Sequence, residues 1–570
     1  MAVFENTPIR DGAGFGDHLR TFVLSIEVAL DRWAASGLLV IGVFTTIYAL
    51  PTVRIAAQKL YWDDEFFTLY LSTVSGWHEL LRALATGADQ HPPSFYYLTH
   101  LCIKLFGCTP VTVRLPEIFG FWLMCVALYA LVRRLLGPIW GVVAMMIPLP
   151  SGAYYYGSEA RGYGLMLGFS ALALYAWLEL TSGRRRATFL AVLTISSAAA
   201  IASHYYAVVA MVALGIGEGV RTVIRKRVDV PVWAAFAASA VPLLAFTSTI
   251  RSAKEYSAHF WAHPLWSDVF RFYPHMEGYT LDVLLGSIGV AVVVAPVLPH
   301  RSAGNDERRP AAAFHVAPSW IAAVALAIAP LFAMALAKFV THGYTDRYAI
   351  VAVIGTSVLF TYGICTAARR RTAAAAAAIL ICGLCFYVTQ WELRFDNQRA
   401  VEDLKSDFQL LNATHNEPVA VSEITVFHRL SFYAPPNMYR RLSYLADPDA
   451  SVEYLDEDTI DRGLLALKPW FPLRVVPSGE YARNHTYFLA YGYIGDWTWL
   501  TYRLPEISVE TRLLTRHGSR LLFAVKTAPV RVSGGTSHAI ETHPGFSSKF
   551  ANSNRSLCES YFGASHCPVL

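Results

Sequence analysis

Long apolar runs restrict what this chain can fold into. A helix that crosses the hydrocarbon core of a bilayer needs roughly 17–25 mostly apolar residues. Charged residues make up only 16% of the 570 residues, against about 25% in an average soluble domain. The pattern predicts an all-α polytopic membrane domain over residues 36–391. Its eleven candidate transmembrane helices lie near 36–53, 113–132, 138–153, 163–181, 187–205, 207–222, 231–250, 281–299, 317–338, 348–367 and 372–391.

Basic residues between the runs predict the orientation. If the spans alternate, all of the clusters fall on one side, and lysine and arginine collect on the cytoplasmic side of membrane proteins. The N-terminus is then cytoplasmic and the C-terminus lies outside. The net charge of +5 is spread over these short clusters, which favours a topological role over nucleic-acid binding. The clusters are Arg133–Arg134, Arg184–Arg186, Arg225–Arg227, Arg301 with Arg308–Arg309, and Arg369–Arg371.

Three segments lie outside the predicted spans. Residues 1–35 form an N-terminal cytoplasmic or interfacial segment. Residues 54–112 form a long first outward loop, in which LYLSTVSGWHELLRALATG and PPSFYYLTHLCIKLFG are typical of two helices. Residues 392–570 are polar and predict a C-terminal extracytoplasmic α/β domain with an irregular tail. Its strand signals are PVAVSEITVFHRLSFYA (strand, then helix), RRLSYLAD, TYFLAYG and SRLLFAVKTA.

Two cysteines in this tail have two interpretations. Cys558 and Cys567 close a short loop near the C-terminus. They form a disulfide if that end faces an oxidising compartment, and they are free thiols otherwise.

The candidate catalytic residues begin with Tyr61-Trp62-Asp63-Asp64-Glu65, soon after the first span. Three adjacent carboxylates repel one another, so at least one pKa among them is raised. Such a base can take a proton from an acceptor hydroxyl. The alternative is a solvated acidic loop tip. Because the acids lie between aromatic residues at a membrane surface, we favour a catalytic role.

Other outward segments add cations and aromatic residues. An arginine can hold a lipid phosphate through a bidentate contact, and a histidine can donate to a phosphate or orient a carboxylate. The simpler interpretations are a structural histidine, an interfacial ion pair, an aromatic belt and a snorkelling arginine. The candidates are His91, Glu159, Arg161, Tyr163, His204, Arg347 and Tyr348.

Together these residues place acids, cations and aromatic rings on one side of the membrane. The combination suits attack by a deprotonated hydroxyl on the anomeric carbon of a sugar whose leaving group is a phosphate on a lipid.

An ordered set of motifs resembles a known family. Asp64-Glu65 follows the first span, and HPPSFYYLTHLCIKLFG, Arg114-Leu115-Pro116, SEARGY at 158–163 and Asp346-Arg347-Tyr348 come after it in this order. The set resembles the bacterial relatives of protein O-mannosyltransferases. They belong to the C-type glycosyltransferase superfamily, with the lipid A aminoarabinose transferase and the Rhizobium lipopolysaccharide core transferases. The resemblance covers residues 36 to about 390.

The resemblance implies a multispanning helical fold with a cavity at the outer leaflet, a polyprenyl-phosphate-sugar donor and inversion at the anomeric carbon. By the match, Asp64 is the general base, Glu65 its neighbour, Glu159 a second-loop carboxylate and Arg347 a phosphate contact. Asp63 is an extra acid, which leaves the base open between the two aspartates. Some members use a divalent metal and others do not. The sequence offers no dedicated ligand set, so the metal stays open.

We therefore expect a multi-pass protein of the bacterial inner membrane that transfers a sugar to a glycolipid, glycan or protein acceptor. One alternative is a transporter or flippase of lipid-linked sugars. Transporters usually carry inverted repeats and charges near the bilayer midplane, whereas no repeat is visible here and the charges lie at the outer surface. The other alternative is a catalytically inactive relative.

Overall fold

The computed structural model describes residues 15–183, 185–294, 318–414, 416–471, 473–493 and 498–527. Within these residues a helical unit runs to residue 412, and a unit with a six-stranded sheet follows it. The predicted pairing of Cys558 with Cys567 lies outside the described residues, as do Arg184 and the basic cluster at Arg301 and Arg308–Arg309.

The helical unit contains six helices that are long and apolar enough to cross a membrane, and two bent pairs that would bring the number to eight. In chain order its helices are α1 (Phe15–Ala35), α2 (Gly37–Gln58), α3 (Asp63–Ser72), α4 (Trp77–Ala85), α5 (Pro93–Phe106), α6 (Pro110–Leu136), α7 (Pro138–Met146), α8 (Ala153–Tyr156), α9 (Tyr163–Thr181), α10 (Arg186–Ser203), α11 (Val208–Arg225), α12 (Val230–Ala238), α13 (Val241–Ala245), α14 (Thr247–Glu255), α15 (Asp268–Glu277), α16 (Tyr279–Val294), α17 (Pro318–Ala327), α18 (Ala329–Leu336), α19 (Ala352–Ala367) and α20 (Thr372–Asn412). Short 3₁₀ turns at Tyr205–Ala207, Tyr256–His259 and Asp346–Ala349 and a π-helical turn at Ala337–Thr341 complete it.

The predicted count of eleven spans is not confirmed. The six long helices and the two bent pairs coincide with eight of the predicted segments. Two of the other three predicted segments are shorter helices, because α7 has 9 residues and α19 has 16. The third coincides with α16 over Tyr279–Val294, and its remaining residues 295–299 lie outside the described residues. One bent pair turns by 57° between α17 and α18. Pro330 lies in the first turn of α18, and its missing N–H and its ring favour a break there.

Glycine allows α6 and α9 to cross closely. A Cβ on Gly120 would lie 2.3 Å from the carbonyl carbon of Gly164, and a Cβ on Gly168 would lie 2.2 Å from the carbonyl oxygen of Gly120. Real side chains cannot approach backbone atoms so closely, so only glycine fits. Glu117 of α6 also accepts a hydrogen bond of 3.1 Å from the N–H of Leu165. The crossing fixes the start of α9, and with it the preceding loop 157–162.

The first outward loop contains three helices where the sequence predicted two. The first predicted segment is divided into the end of α3 and α4, because Gly76 between them has a φ of +152°. The second predicted segment is α5, which begins at Pro93, a position that tolerates a missing N–H.

The second unit is an α/β domain, as expected from its sequence. Its sheet has the order β3-β2-β1-β4-β6-β5, in which β1 to β4 are parallel and β5 and β6 form an antiparallel pair at one edge. The elements are β1 (Val419–Val421), α21 (Ile424–Tyr433), α22 (Pro436–Tyr439), β2 (Leu442–Ala446), α23 (Pro448–Leu455), α24 (Thr459–Leu467), β3 (Val475–Pro477), α25 (Ser478–Asn484), β4 (Tyr487–Tyr493), α26 (Leu500–Ile507), β5 (Glu510–His517) and β6 (Arg520–Lys526).

The α/β domain packs directly on the first outward loop. The N–H of Tyr61 donates to the hydroxyl of Tyr433 over 3.0 Å. His428 of α21 is fully buried, and its ring lies 4.9 Å from that of Phe66. Buried residues of α3, α5, α20, α21 and the sheet share one hydrophobic cluster. The carboxyl end of β1, the central parallel strand, therefore faces the acidic turn that begins α3.

Candidate active site

The first turn of α3 carries the three predicted acids. Acidic side chains at a helix N-terminus are stabilised by the helix dipole and by free backbone N–H groups. Glu65 also accepts a hydrogen bond of 3.1 Å from the N–H of Trp62, which closes a capping box. Successive residues on a helix point about 100° apart, so the three carboxylates face three different partners.

Glu65 points into the helical unit. Its two oxygens accept hydrogen bonds of 2.6 and 2.7 Å from Arg114, and Oε1 accepts a third of 2.8 Å from the N–H of Ala160. Both charged side chains are fully buried. Burial acts to raise the pKa of Glu65, but the Arg114 charge and its hydrogen bonds outweigh it, and the pKa is lowered. Every hydrogen-bonding position of this carboxylate is occupied, which suits a residue that anchors the first turn of α3.

Asp64 points toward two arginines from distant parts of the chain. Its Oδ2 lies 2.8 Å from Nη1 of Arg347 and 3.8 Å from Nε of Arg161. The Asp64 side chain remains 24% exposed, so a substrate can reach it. Burial acts to raise the pKa of Asp64, but the two guanidinium charges outweigh it and lower the pKa. The carboxylate is therefore ionised at neutral pH.

Asp63 points toward the α/β domain. Its Oδ2 accepts a hydrogen bond of 2.7 Å from the hydroxyl of Thr425, and its Oδ1 has no hydrogen-bond partner within the described ranges. Burial and then the nearby charge of Glu423 raise the pKa of Asp63 to about 8. Asp63 is therefore mostly protonated at neutral pH, unlike its neighbour.

Arg161 is held by an acid that the sequence analysis missed. Its Nη1 and Nη2 donate to Asp89 over 2.5 and 3.2 Å, and its Nη1 also reaches the carbonyl oxygen of Asp64 over 3.2 Å. Asp89 lies two residues before His91, just outside the motif HPPSFYYLTHLCIKLFG that the sequence analysis singled out. Among the described residues, Nε of Arg161 and Nε of Arg347 have no hydrogen-bond partner. The Nε–H group of each arginine beside Asp64 can therefore donate a hydrogen bond to a ligand.

Aromatic rings line the other side of these arginines. The ring of His204 lies 4.7 Å from that of His91, 4.8 Å from that of Tyr163 and 5.7 Å from that of Tyr348. The Arg347 guanidinium lies 5.9 Å from the Tyr163 ring. Burial, reinforced by the charges of the arginines, lowers the pKa of His91 and lowers that of His204 to about 3. Both imidazoles are neutral, so neither adds a positive charge for a phosphate.

Glu159 lies in the same region, opposite a lysine that the sequence analysis also missed. Nζ of Lys59 is 3.8 Å from Oε2 of Glu159 and 3.7 Å from the centre of the Tyr155 ring. Burial raises the pKa of Glu159 to about 7, although the Lys59 charge opposes the shift. Lys59 directly follows the first span, where a single lysine looks like an ordinary membrane-boundary residue.

The structure thus gathers Asp64, Arg161, Arg347, the aromatic group and Glu159 around one region, whereas Asp63 and Glu65 face away from it. Over the described ranges, no three histidine, cysteine or acidic side chains converge as metal ligands. The two acids nearest the arginines, Asp64 and Asp89, are both engaged in ion pairs. This donor set does not fit a divalent metal.

Comparison with known proteins gives one family match. Residues 90–250 match the family described as dolichyl-phosphate-mannose-protein mannosyltransferase. No curated protein sequence matches the chain significantly.

Solved structures share the fold at low sequence identity. ArnT from Cupriavidus metallidurans in the apo state is similar over 85% of this chain and 97% of its own, with 14% identity and a TM-score of 0.52. The same protein bound to undecaprenyl phosphate gives a TM-score of 0.53 at 12% identity over the same shares. The Archaeoglobus fulgidus oligosaccharyltransferase tethered to an acceptor peptide covers 81% of this chain and 70% of its own, with 12% identity and a TM-score of 0.41. Residues 90–250 thus resemble the mannosyltransferase family, and the chain shares the fold of the Cupriavidus ArnT structures.

Proposed function

We propose that this protein transfers a sugar from a polyprenyl-phosphate carrier to an acceptor hydroxyl at the outer face of the bacterial inner membrane. The observation that carries the proposal is the ionised, partly exposed Asp64 beside Arg161 and Arg347, whose Nε atoms have no hydrogen-bond partner in the described part of the chain. Guanidinium groups bind phosphate oxygens through charge-assisted hydrogen bonds. The Cupriavidus protein of similar fold binds undecaprenyl phosphate, which supports this class of carrier.

The reaction is a single in-line displacement. The acceptor oxygen forms a bond to the anomeric carbon while the bond from that carbon to the phosphate oxygen breaks, so the configuration inverts. Asp64 takes the proton of the acceptor hydroxyl. Arg347 and Arg161 stabilise the charge that develops on the leaving polyprenyl phosphate.

Donor binding also activates the base. In the free protein Asp64 is paired with Arg347, and this pairing weakens its basicity. A phosphate on Arg347 competes for the same guanidinium and adds negative charge nearby. Both effects raise the pKa of Asp64 once the donor is in place, so the base becomes stronger when it is needed.

The acceptor enters from the side of the α/β domain in this scheme. Asp63 and Thr425 link the catalytic turn to that domain, and Asp63 is mostly neutral and is not the base. If the N-terminus is cytoplasmic, as the basic clusters indicate, and all eleven predicted segments cross, the α/β domain lies in the periplasm beside glycolipid, glycan or protein acceptors.

The test measures carrier release by the protein in nanodiscs. A panel of radiolabelled undecaprenyl-phosphate sugars is offered with a membrane-lipid extract, and free undecaprenyl phosphate is measured. We expect release that needs an acceptor. Asp64→Asn should slow it by about 10²–10⁴-fold, the usual contribution of a general base. The exposed Asp396→Asn is the matched control and should leave the rate unchanged.

Two results would contradict the proposal. Wild-type turnover by Asp64→Asn would remove Asp64 from the chemistry. An absence of release with every donor and acceptor, together with movement of an intact lipid-linked sugar across the membrane, would favour transport instead.

A further inference from the structure

Lys59 and Glu159 face each other without a hydrogen bond. The Glu159 side chain is 1% exposed and that of Lys59 is 13% exposed. Within the described part of the chain, Nζ of Lys59 and both carboxylate oxygens of Glu159 have no hydrogen-bond partner. Buried charges in folded proteins are nearly always hydrogen-bonded. Three such atoms in one place indicate that a bound ligand provides their hydrogen-bond partners.

The backbone on both sides of this gap is fixed. Arg114 donates to the carbonyl oxygen of Lys59 over 2.9 Å and to that of Leu60 over 3.2 Å. Its partner Glu65 accepts from the N–H of Ala160, the residue after Glu159. The buried ion pair of Arg114 and Glu65 therefore holds both backbone segments, the one at Lys59 and the one at Glu159. Lys59 and Glu159 are presented at a set separation, as a preorganised binding site requires.

The gap adjoins the proposed site of phosphate binding. The charges of Arg347 and Asp64 both act on the Glu159 carboxyl group. A phosphate itself does not suit the gap, because the ionised form of Glu159 would repel it. A group bonded to that phosphate can reach it.

The hydrogen-bonding chemistry of the two side chains defines the ligand. An ammonium group only donates, and the carboxyl group of Glu159 accepts whether or not it carries a proton. A group that satisfies both must accept from one and donate to the other, which a hydroxyl does. Neighbouring hydroxyls on a sugar ring provide such groups in a fixed geometry.

We propose that Lys59 and Glu159 form the subsite for the donor sugar, an inference that rests on the proposed function. The phosphate of the donor lies on Arg161 and Arg347, and a sugar hydroxyl bridges Lys59 and Glu159 from beside the pair, accepting from the ammonium group and donating to the carboxyl group. The anomeric carbon is then held between the two groups of residues, on the Asp64 side. Sugars that lack the contacting hydroxyls bind no better than the carrier alone.

The test compares binding of the bare carrier with binding of sugar-linked carriers. The probes are undecaprenyl phosphate and undecaprenyl phosphate linked to glucose, mannose or an aminopentose, and affinities are measured on the full chain in nanodiscs. The variants are Glu159→Gln and Lys59→Met, with the exposed Lys104→Met as matched control. Thermal melting of each variant verifies the fold. The readout is the ratio of the two affinities, which a purely structural role would not change.

We expect at least one sugar-linked carrier to bind tenfold or more tightly than the bare carrier to the wild type and to Lys104→Met. Both site variants should reduce this ratio at least fivefold. Affinity for the bare carrier should rise in Glu159→Gln and fall in Lys59→Met, because the two variants change the local charge in opposite directions.

An unchanged ratio in the folded variants would overturn the subsite, and so would a panel in which no sugar improves on the bare carrier. Failure of the wild type to bind undecaprenyl phosphate at all would overturn the proposed function itself, and the subsite with it.

Discussion

At the level of single residues, the pKa of Asp63 is raised and that of Asp64 is lowered, although the two are adjacent. Burial affects both. The difference comes from Glu423 beside Asp63 and from Arg347 and Arg161 beside Asp64. The local environment therefore sorts the pair into a neutral acid and an ionised base.

The raised pKa of Asp63 predicts a pH-dependent gain in stability for Asp63→Asn. The unfolded carboxyl group ionises near 3.8, whereas Asp63 in the folded protein keeps its proton up to about 8. Between these values the unfolded state is increasingly favoured, so wild-type stability falls as pH rises. The amide mimics the protonated form and avoids this loss. The melting temperature of Asp63→Asn should match that of the wild type near pH 4 and exceed it by a growing margin up to about pH 8.

The same variant also tests the choice of base. Because Asp63 is mostly protonated at pH 7 in the wild type, Asp63→Asn should keep carrier release within about tenfold, a smaller loss than removal of a general base causes. A variant that melts lower at pH 8, or that loses activity as fully as Asp64→Asn, would show that the ionised form of Asp63 is required.

The sequence anticipated part of this site. Repulsion among three adjacent acids predicted a raised pKa, and the pKa of Asp63 is raised, but chiefly by burial and by Glu423 rather than by its neighbours in sequence. The sequence left the base open between two aspartates, because the arginines and Glu423 that distinguish them come from distant segments. Asp89 and Lys59 were missed because neither has an unusual sequence neighbourhood, and only the folded chain shows what each faces.

At the level of helices, the close crossing of α6 and α9 positions the loop that carries Glu159 and Arg161. We expect Gly120→Ala to destabilise the protein, because its Cβ would meet the backbone of Gly164 and Leu165 at 2.3 Å. Overpacking of this kind typically costs about 1–3 kcal/mol. The displaced start of α9 should lower carrier release as well.

Gly215→Ala provides the matched control for this prediction. It lies within α11, and a Cβ there would meet nothing within 4 Å. Because alanine favours helices over glycine by about 1 kcal/mol, melting of this variant should be unchanged or higher. Equal melting temperatures for the two variants would show that the crossing can relax.

Secondary structure was predictable where hydrophobic patterning is strong. The signals for β1, α21, β2, β4 and β6 coincide with observed elements. Two strands were missed for different reasons. β3 has only three residues, and β5 is an almost fully exposed edge strand with no alternation of buried and exposed positions. The short helices α7 and α19 show a further difficulty, since apolar composition alone overestimates helix length.

At the level of the whole molecule, the α/β domain is held on the first turn of α3 by an aromatic cluster around His428. The ring is fully buried against Phe66, Phe67 and Tyr70, and neither ring nitrogen has a hydrogen-bond partner among the described residues. Burial lowers the pKa of His428 to about 3, so the ring is neutral.

His428→Phe should therefore be tolerated. Removal of an unsatisfied buried polar group recovers up to about 1–3 kcal/mol. His428→Glu should loosen the domain instead, because it buries an unpaired charge. Limited proteolysis near residues 412–418, which join the two units, provides the measurement. Protection in His428→Phe and faster cleavage in His428→Glu are expected, whereas cleavage of His428→Phe at the faster rate would indicate an unrecognised polar contact.

The first turn of α3 connects three parts of the molecule. Its three consecutive carboxylates contact three partners. Asp63 contacts Thr425 of the α/β domain, Asp64 contacts Arg347 of the candidate site, and Glu65 contacts the buried Arg114 of the helical unit. Inserting one residue before Asp63 would rotate this set by about 100°. Glu65 would leave Arg114, and a different acid would face Arg347. This turn can therefore accept point substitutions during evolution, but not insertions or deletions. Among relatives, its length should vary less than the identity of the residue at position 63.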